Sequence, residues 1–87
     1  MAKVEIYTWQ SCPFCLRAKA LLRQKNVNFV EHAIDGDPTA RIAMTNRAEG
    51  RTTVPQIFIN NKGIGGCDEL YELERSAKLN ALLGLVN

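Results

Sequence analysis

The chain has 87 residues, of which 46% are hydrophobic and 23% are charged, a balance that is typical of a globular domain and excludes a disordered chain. Its 11 Lys and Arg exceed its 9 Asp and Glu by only two charges, too few to indicate nucleic acid or an anionic membrane as a partner. No apolar run approaches the roughly 20 residues that span a bilayer, and the N-terminus lacks a secretory core, so we expect one cytoplasmic domain over residues 1–87.

The first predicted strand is Val4–Tyr7, where apolar and polar residues alternate, and it ends at the polar run Thr8–Ser11. A helix should follow, because Pro13 suits the first helical position and leaves Cys12 as the N-cap residue. The apolar face of this helix recurs at intervals of three and four residues: Cys15, Ala18, Leu21 and Leu22.

A second strand is predicted at Asn28–Ala33, and the sequence Asp-Gly-Asp-Pro at 35–38 then supplies a turn, a helix cap and a first-turn proline. The second helix should end near Ala48, with Gly50 closing it. Its apolar content is thin, so we expect one exposed face; the apolar residues are mainly Ile42, Ala43 and Met44.

The last third of the chain predicts a third strand at Gln56–Ile59, a hairpin turn at 60–63 and a short fourth strand around Ile64. That strand should end at Gly65–Gly66. Two helices are predicted after it, at Asp68–Arg75 and Lys78–Leu83. This order of elements, without an internal repeat or a linker, predicts a three-layer α/β or α+β domain.

The sequence Cys12-Pro13-Phe14-Cys15 lies at the predicted junction of strand and helix, a context typical of redox-active cysteine pairs. A thiolate at the first helical turn is stabilised by unpaired N–H groups and by the helix dipole, which lower its pKa below the ~8.5 of free cysteine. Cys12 is therefore the expected nucleophile. Cys15 lies on the same helix face and is close enough to resolve a mixed disulfide.

The cysteine pattern has two other interpretations. Both could be buried small hydrophobic residues. Alternatively, Cys12, Cys15, Cys67 and His32 could form a Cys3His zinc site, since zinc sites use the same C-x2-C spacing. The spacing disfavours zinc, because His32 and Cys67 are isolated and supply no second close pair. His32 is more simply a side chain at the end of a strand.

Two loops could complete a site. Pro55 precedes the third strand, where it keeps Val54 extended and allows a cis peptide bond. The glycine-rich run 63–68 opens a helix, so its N–H groups could bind a carboxylate or phosphate. Each feature also has an ordinary structural explanation. A proline is common at the start of a strand, and glycines before a helix often only form a turn.

Four segments in order resemble the glutaredoxins, and closely the small bacterial dithiol kind, over essentially the whole chain: YTxxxCPFCxRAKALL, IDGD, GRTTVPQIFI and IGGCDELYEL. The resemblance implies a thioredoxin fold, a four-stranded mixed sheet flanked by helices, with a cis bond at Val54–Pro55. It implies glutathione as co-substrate and no metal. The implied partners are disulfide-containing or glutathionylated proteins, and the chain is expected to act on them as a monomer.

The resemblance also implies roles for particular residues. Cys12 and Cys15 are catalytic. Glutathione lies between them, the proline loop and the Gly-Gly-Cys-Asp turn, with its main chain paired at Val54, its γ-glutamyl end at Cys67 and Asp68, and its glycyl carboxylate near Arg51. The implied glutathione-binding residues are Phe14, Arg51, Thr53, Val54, Pro55, Gly66, Cys67 and Asp68.

The chain departs from the commonest family sequence at two positions. Phe14 replaces a tyrosine, so a hydroxyl is absent while the apolar wall is kept. Trp9 stands where many glutaredoxins carry a lysine, which removes one cationic contact to glutathione and offers an aromatic face instead.

The function that follows is glutathione-dependent thiol–disulfide exchange. Protein disulfides would be reduced by a dithiol cycle of Cys12 and Cys15, and glutathione mixed disulfides by a monothiol cycle of Cys12 alone. The alternatives are a homodimeric carrier of a [2Fe–2S] cluster, bound through Cys12 and glutathione, and a binding module without turnover. We expect Cys67 to be a bystander, because the neighbouring charge of Asp68 opposes its ionisation.

Overall fold

A computed structural model describes residues 2–85, so residues 1, 86 and 87 of the predicted domain lie outside the described residues. The elements are β1 Val4–Thr8, α1 Pro13–Gln24, β2 Val30–Ala33, α2 Pro38–Arg47, β3 Gln56–Ile59, β4 Lys62–Gly65, α3 Cys67–Arg75 and α4 Leu79–Leu82. Within the described range, none of the helices has the length and apolarity needed to cross a bilayer.

The four strands form one mixed sheet in the order β2-β1-β3-β4. β1 is parallel to β2 and antiparallel to β3, and β3 and β4 form an antiparallel hairpin. The predicted four-stranded mixed sheet is confirmed. Tyr7 pairs with both His32 and Gln56, so the end of β1 lies between the end of β2 and the start of β3.

The sheet is covered on both faces, which gives the predicted three layers. One core joins β1 and β3 to α1, α3 and α4, and includes Ile6, Leu22 and Leu70. A second core joins the other face to α2 and includes Met44 and Phe58. A strand in which apolar and polar residues alternate usually buries only one face, but all five residues of β1 are buried. Even Glu5 is only 7% exposed.

An ion pair with α2 compensates for the buried carboxylate. Nη2 and Nη1 of Arg47 donate to the two Glu5 oxygens at 2.5 and 3.1 Å, and His32 Nε2 lies 3.2 Å from Glu5 Oε1. The guanidinium carbon of Arg47 lies 4.1 Å from the centroid of the Phe58 ring. Chiefly through the hydrogen bonds from Arg47, the pKa of Glu5 is lowered from its ordinary 4.5 to about 2.

Several element boundaries differ from the prediction. β2 begins at Val30, two residues late. The hairpin turn is only Asn60–Asn61, whose φ angles of 52° and 68° are those of a tight two-residue turn, so Lys62 and Gly63 belong to β4. α2 has the predicted cap and first-turn proline, but of its apolar residues only Met44 is buried, which confirms the exposed face.

Replacing Arg47 by leucine should destabilise the fold by roughly 2 to 4 kcal/mol at pH 7, because the buried Glu5 carboxylate would lose its partner. The pKa of Glu5 is lower in the folded protein. The contribution of the pair is therefore complete above about pH 4.5 and is lost as the pH falls towards 2. Urea unfolding at several pH values measures this difference. Arg75→Leu is the matched control: its ion pair with Glu72 is solvent-exposed, so its loss should cost about 0.5 kcal/mol or less.

Candidate active site

Cys12 is the N-cap residue of α1, as predicted, with extended backbone angles of φ −98° and ψ 112°. It follows β1 after a short loop, in which its N–H donates to the Trp9 carbonyl at 3.4 Å. Its Sγ accepts the Cys15 N–H at 3.2 Å. The sulfur of a half-buried cysteine thus occupies the place where a helix N-terminus binds negative charge.

Cys15, one helical turn later, is completely buried. Burial raises the pKa of its thiol to about 12, and its hydrogen bond with Cys12 acts in the same direction. Cys15 therefore carries its proton at neutral pH. The two cysteines of the motif lie in different environments, one at the surface of the helix cap and one in the core.

The Val54–Pro55 peptide bond is cis, and its loop lies against Cys12. The Val54 carbonyl oxygen is 3.9 Å from Cys12 Sγ. Gln56, which is buried, donates its side-chain amide to the Thr53 carbonyl at 3.0 Å and to the Thr53 hydroxyl at 3.3 Å. This buried side chain holds the loop in shape, a role that strand periodicity did not reveal.

A cleft of about 200 Å³ opens beside this loop. The structure brings together at this cleft all of the residues for which the sequence implied glutathione binding, and adds two that it missed, Gln56 and Glu69. The complete lining is Phe14, Arg51, Thr53, Val54, Pro55, Gln56, Gly66, Cys67, Asp68 and Glu69.

The far wall of the cleft is the start of α3. Glu69 Oε1 accepts the Gly66 N–H at 2.7 Å, so this amide is already bonded within the protein. A Cβ atom at Gly66 would lie 3.0 Å from the Pro55 carbonyl oxygen, and one at Gly65 only 2.6 Å from Glu69 Oε1. Gly66 thus allows α3 to approach the proline loop closely, and Gly65 leaves room for the Glu69 side chain. The Gly-x-x-Glu spacing of a capping box was the signal in the sequence.

Cys67, the first residue of α3, is 4% exposed. The pKa of its thiol is raised, chiefly by burial, with the Asp68 charge a further cause. The expected resistance of Cys67 to ionisation is confirmed in direction, but burial contributes more than the neighbouring carboxylate.

The alternative zinc set is not assembled. His32 lies on β2, where its ring centroid is 4.6 Å from that of Tyr7 and its Nε2 faces Glu5. Between residues 2 and 85 no three His, Cys, Asp or Glu side chains come together as a metal-binding group.

Trp9 is 38% exposed, and the guanidinium carbon of Arg41 lies 5.1 Å from the centroid of its ring. Arg41 also donates to the Thr52 carbonyl at 3.1 Å. It therefore contacts both loops that flank Cys12. Arg41 lies in the first half of α2 and is not among the residues predicted from the sequence, because no local pattern indicates that this helix turns a cation towards Trp9.

A family model described as glutaredoxin matches residues 4–64. A probable glutaredoxin of Synechocystis sp. is 66% identical over 82 residues, 94% of this chain and 75% of its own length. Glutaredoxin 3 of Escherichia coli is 57% identical over 83 residues, 95% of this chain and 99% of its own. A crystal structure of a buckwheat glutaredoxin–glutathione complex superposes with a TM-score of 0.87 at 29% identity, covering 95% of this chain and 77% of the other.

Iodoacetamide should modify one thiol per native chain at pH 8, and peptide mapping should locate the label on Cys12. Burial protects Cys15 and Cys67 and raises the pKa of each, so both should react at least about tenfold more slowly. In urea all three thiols should react alike, which is the control for access. Equal labelling of Cys67 in the native protein would contradict this assignment.

Proposed function

This chain belongs to the glutaredoxin family, and we propose that Cys12 is the nucleophile, and Cys15 the resolving thiol, of its glutathione-dependent thiol–disulfide exchange. The enzyme class is that of the family, a glutathione-dependent thiol–disulfide oxidoreductase with glutathione as co-substrate. The position of Cys12 Sγ carries the proposal: it accepts the Cys15 N–H and lies 3.9 Å from the carbonyl oxygen of Val54, which lines the cleft.

In the monothiol cycle the Cys12 thiolate attacks the glutathione sulfur of a glutathionylated protein. The protein sulfur leaves as a thiolate and takes up a proton. A second glutathione thiolate then attacks the sulfur of glutathione bound to Cys12, releasing glutathione disulfide and the Cys12 thiolate. Cys15 takes no part, so one reactive thiol is sufficient.

In the dithiol cycle the Cys12 thiolate attacks one sulfur of a protein disulfide and forms a mixed disulfide with that cysteine, while the other protein sulfur leaves as a thiolate and takes up a proton. Cys15 then loses its proton, attacks Cys12 Sγ and expels the second protein thiolate, which leaves a Cys12–Cys15 disulfide. Two glutathiones reduce this disulfide and are released as glutathione disulfide. Because burial raises the pKa of Cys15 to about 12, this thiol is protonated at neutral pH and must give up its proton in the step in which it attacks.

We assign glutathione to the cleft of Phe14, Arg51, Thr53, Val54, Pro55, Gly66, Cys67 and Asp68, with the γ-glutamyl end at Asp68. The sheet order supports a direction. The inner strands are β1, which leads to Cys12, and β3, which follows Val54. The helix α3 follows the edge strand β4, and α2 follows the opposite edge strand β2. Cysteine is the middle residue of glutathione, so its glycyl end would extend towards α2. Arg41 of α2 donates to the carbonyl of Thr52, next to Thr53 of the cleft, so it would be a second cation for the glycyl carboxylate, besides Arg51.

We further propose that residues 1–87 act as one cytoplasmic domain and as a monomer on disulfide-containing or glutathionylated proteins. A carrier of a [2Fe–2S] cluster is not favoured, because Cys15 follows the nucleophile within the same helical turn and can close a disulfide with it.

Cys12→Ser should abolish turnover of both a glutathionylated peptide and a protein disulfide, because both cycles begin at this sulfur. Cys15→Ser should retain most deglutathionylation and lose most protein disulfide reduction, since only the latter needs a resolving thiol. Coupled assays of glutathione disulfide formation measure both rates. Equal losses in the two assays for Cys15→Ser would refute the division of roles. Cys67→Ser removes a thiol that neither cycle uses, so it should retain turnover in both assays, with any change confined to the KM for glutathione.

The glycyl end is tested by comparing glutathione with its glycyl ethyl ester, which lacks that charge. Arg41→Gln and Arg51→Gln should each raise the KM for glutathione about two- to fivefold, the loss expected for a solvent-exposed charge pair, and should change the KM for the ester little. Asp68→Ala should raise both KM values alike, because it acts at the other end. Arg75→Gln is the control for a distant surface arginine. An unchanged preference for glutathione in Arg41→Gln would leave Arg51 as the only assigned cation.

A further inference from the structure

The segment between β1 and Cys12 is held by the turn that follows β2. The parallel pairing of β1 and β2 ends at Thr8 and Ala33. One step beyond it, the Ile34 N–H donates to the Thr8 carbonyl at 2.9 Å. The next bond is made by a side chain: the Gln10 N–H donates to Asp35, whose Oδ1 and Oδ2 lie 3.0 and 2.8 Å from the nitrogen.

The Asp35 carboxylate therefore occupies the place of a strand carbonyl and extends the ladder past the end of β2. Both carboxylate oxygens lie within hydrogen-bond distance of this N–H, so the bond depends on where the Asp35 side chain places an oxygen. The Asp35 backbone is itself restrained, because the Asp37 N–H donates to the Ile34 carbonyl at 3.1 Å and Gly36 adopts a φ of 65° in the turn.

We propose that Asp35 is a positioning residue for the nucleophile: by holding the Gln10 main chain it fixes the direction from which the chain enters Cys12. The inference rests on the proposed role of Cys12. Thiol exchange requires the attacking, central and leaving sulfurs to lie in line, and a 1 Å misplacement of a reacting group can cost about 100-fold in rate. Gln10 lies two residues before Cys12, whose N–H bonds back to Trp9 within the same loop.

Three substitutions separate position from charge. Asp35→Asn loses the charge but keeps an oxygen at the same distance along the side chain, so kcat should stay within about twofold of wild type. Asp35→Glu keeps the charge but displaces the oxygens by one methylene, and Asp35→Ala removes them. In both, kcat should fall roughly three- to tenfold while the KM for glutathione is unchanged, because the proposed glutathione contacts remain.

The same variants are compared by the rate at which iodoacetamide modifies Cys12 between pH 5 and 9, which requires neither glutathione nor turnover. Asp35→Glu and Asp35→Ala should alter this profile, and Asp35→Asn should restore it. Asp37→Ala is the matched control in the same turn. Its carboxylate accepts the Ala40 N–H at 3.0 Å as the cap of α2, so the melting temperature should fall while kcat and the profile stay at wild-type values.

Equal losses in Asp35→Asn and Asp35→Ala would overturn the proposal, since charge rather than position would then matter, and so would wild-type behaviour of Asp35→Ala. If Asp35→Ala does not fold, the proposal is tested by the other two variants, since kcat should stay near wild type in Asp35→Asn and fall in Asp35→Glu. If wild type shows no turnover with glutathione, the proposed function fails, whereas the alkylation profiles still test Asp35.

Discussion

Burial of β1 on both faces is the constraint on which the rest of the structure depends. It requires α1 and α3 on one face and α2 on the other, and it encloses a carboxylate, Glu5, that Arg47 of α2 neutralises. α2 is thereby held by an ion pair as well as by Met44. The end of this strand leads to Cys12 at the helix cap, so a strand that is buried along its whole length supports the reactive sulfur.

The three cysteine thiols are the same chemical group, and their reactivity differs because their surroundings differ. Cys12 lies half-buried at a helix N-terminus, whereas Cys15 and Cys67 lie in the core, where burial raises the pKa of each thiol. One sulfur can therefore meet a substrate first, and Cys15 enters the reaction only when a disulfide has formed beside it. Cys67 contributes its volume to the wall of the cleft.

Polar side chains hold both loops that flank Cys12. Gln56, buried at the start of β3, bonds twice to Thr53 and fixes the proline loop. Asp35 bonds to the Gln10 main chain on the other side. Glu69 in turn bonds to Gly66, where α3 meets the proline loop. The loops around the reactive sulfur are thus held by two local hydrogen-bonded turns and by one bond, from Gln10 to Asp35, between segments that lie apart in the chain.

The sequence by itself determined the local features. The cap at Cys12, the proline at position 13, the apolar face of α1 and the whole of β3 follow from residue types and spacing, and the resemblance of four segments assembled the residues of the cleft. Only the tertiary structure decided that Glu5 is buried against Arg47, that Gln56 and Asp35 hold the loops, and that Arg41 lies over Trp9. The physical reason is that the spacing of apolar residues along a helix or strand indicates only which of its faces packs against the core. Contacts between polar side chains on different elements depend on how the elements stack, and that packing is a property of the whole chain.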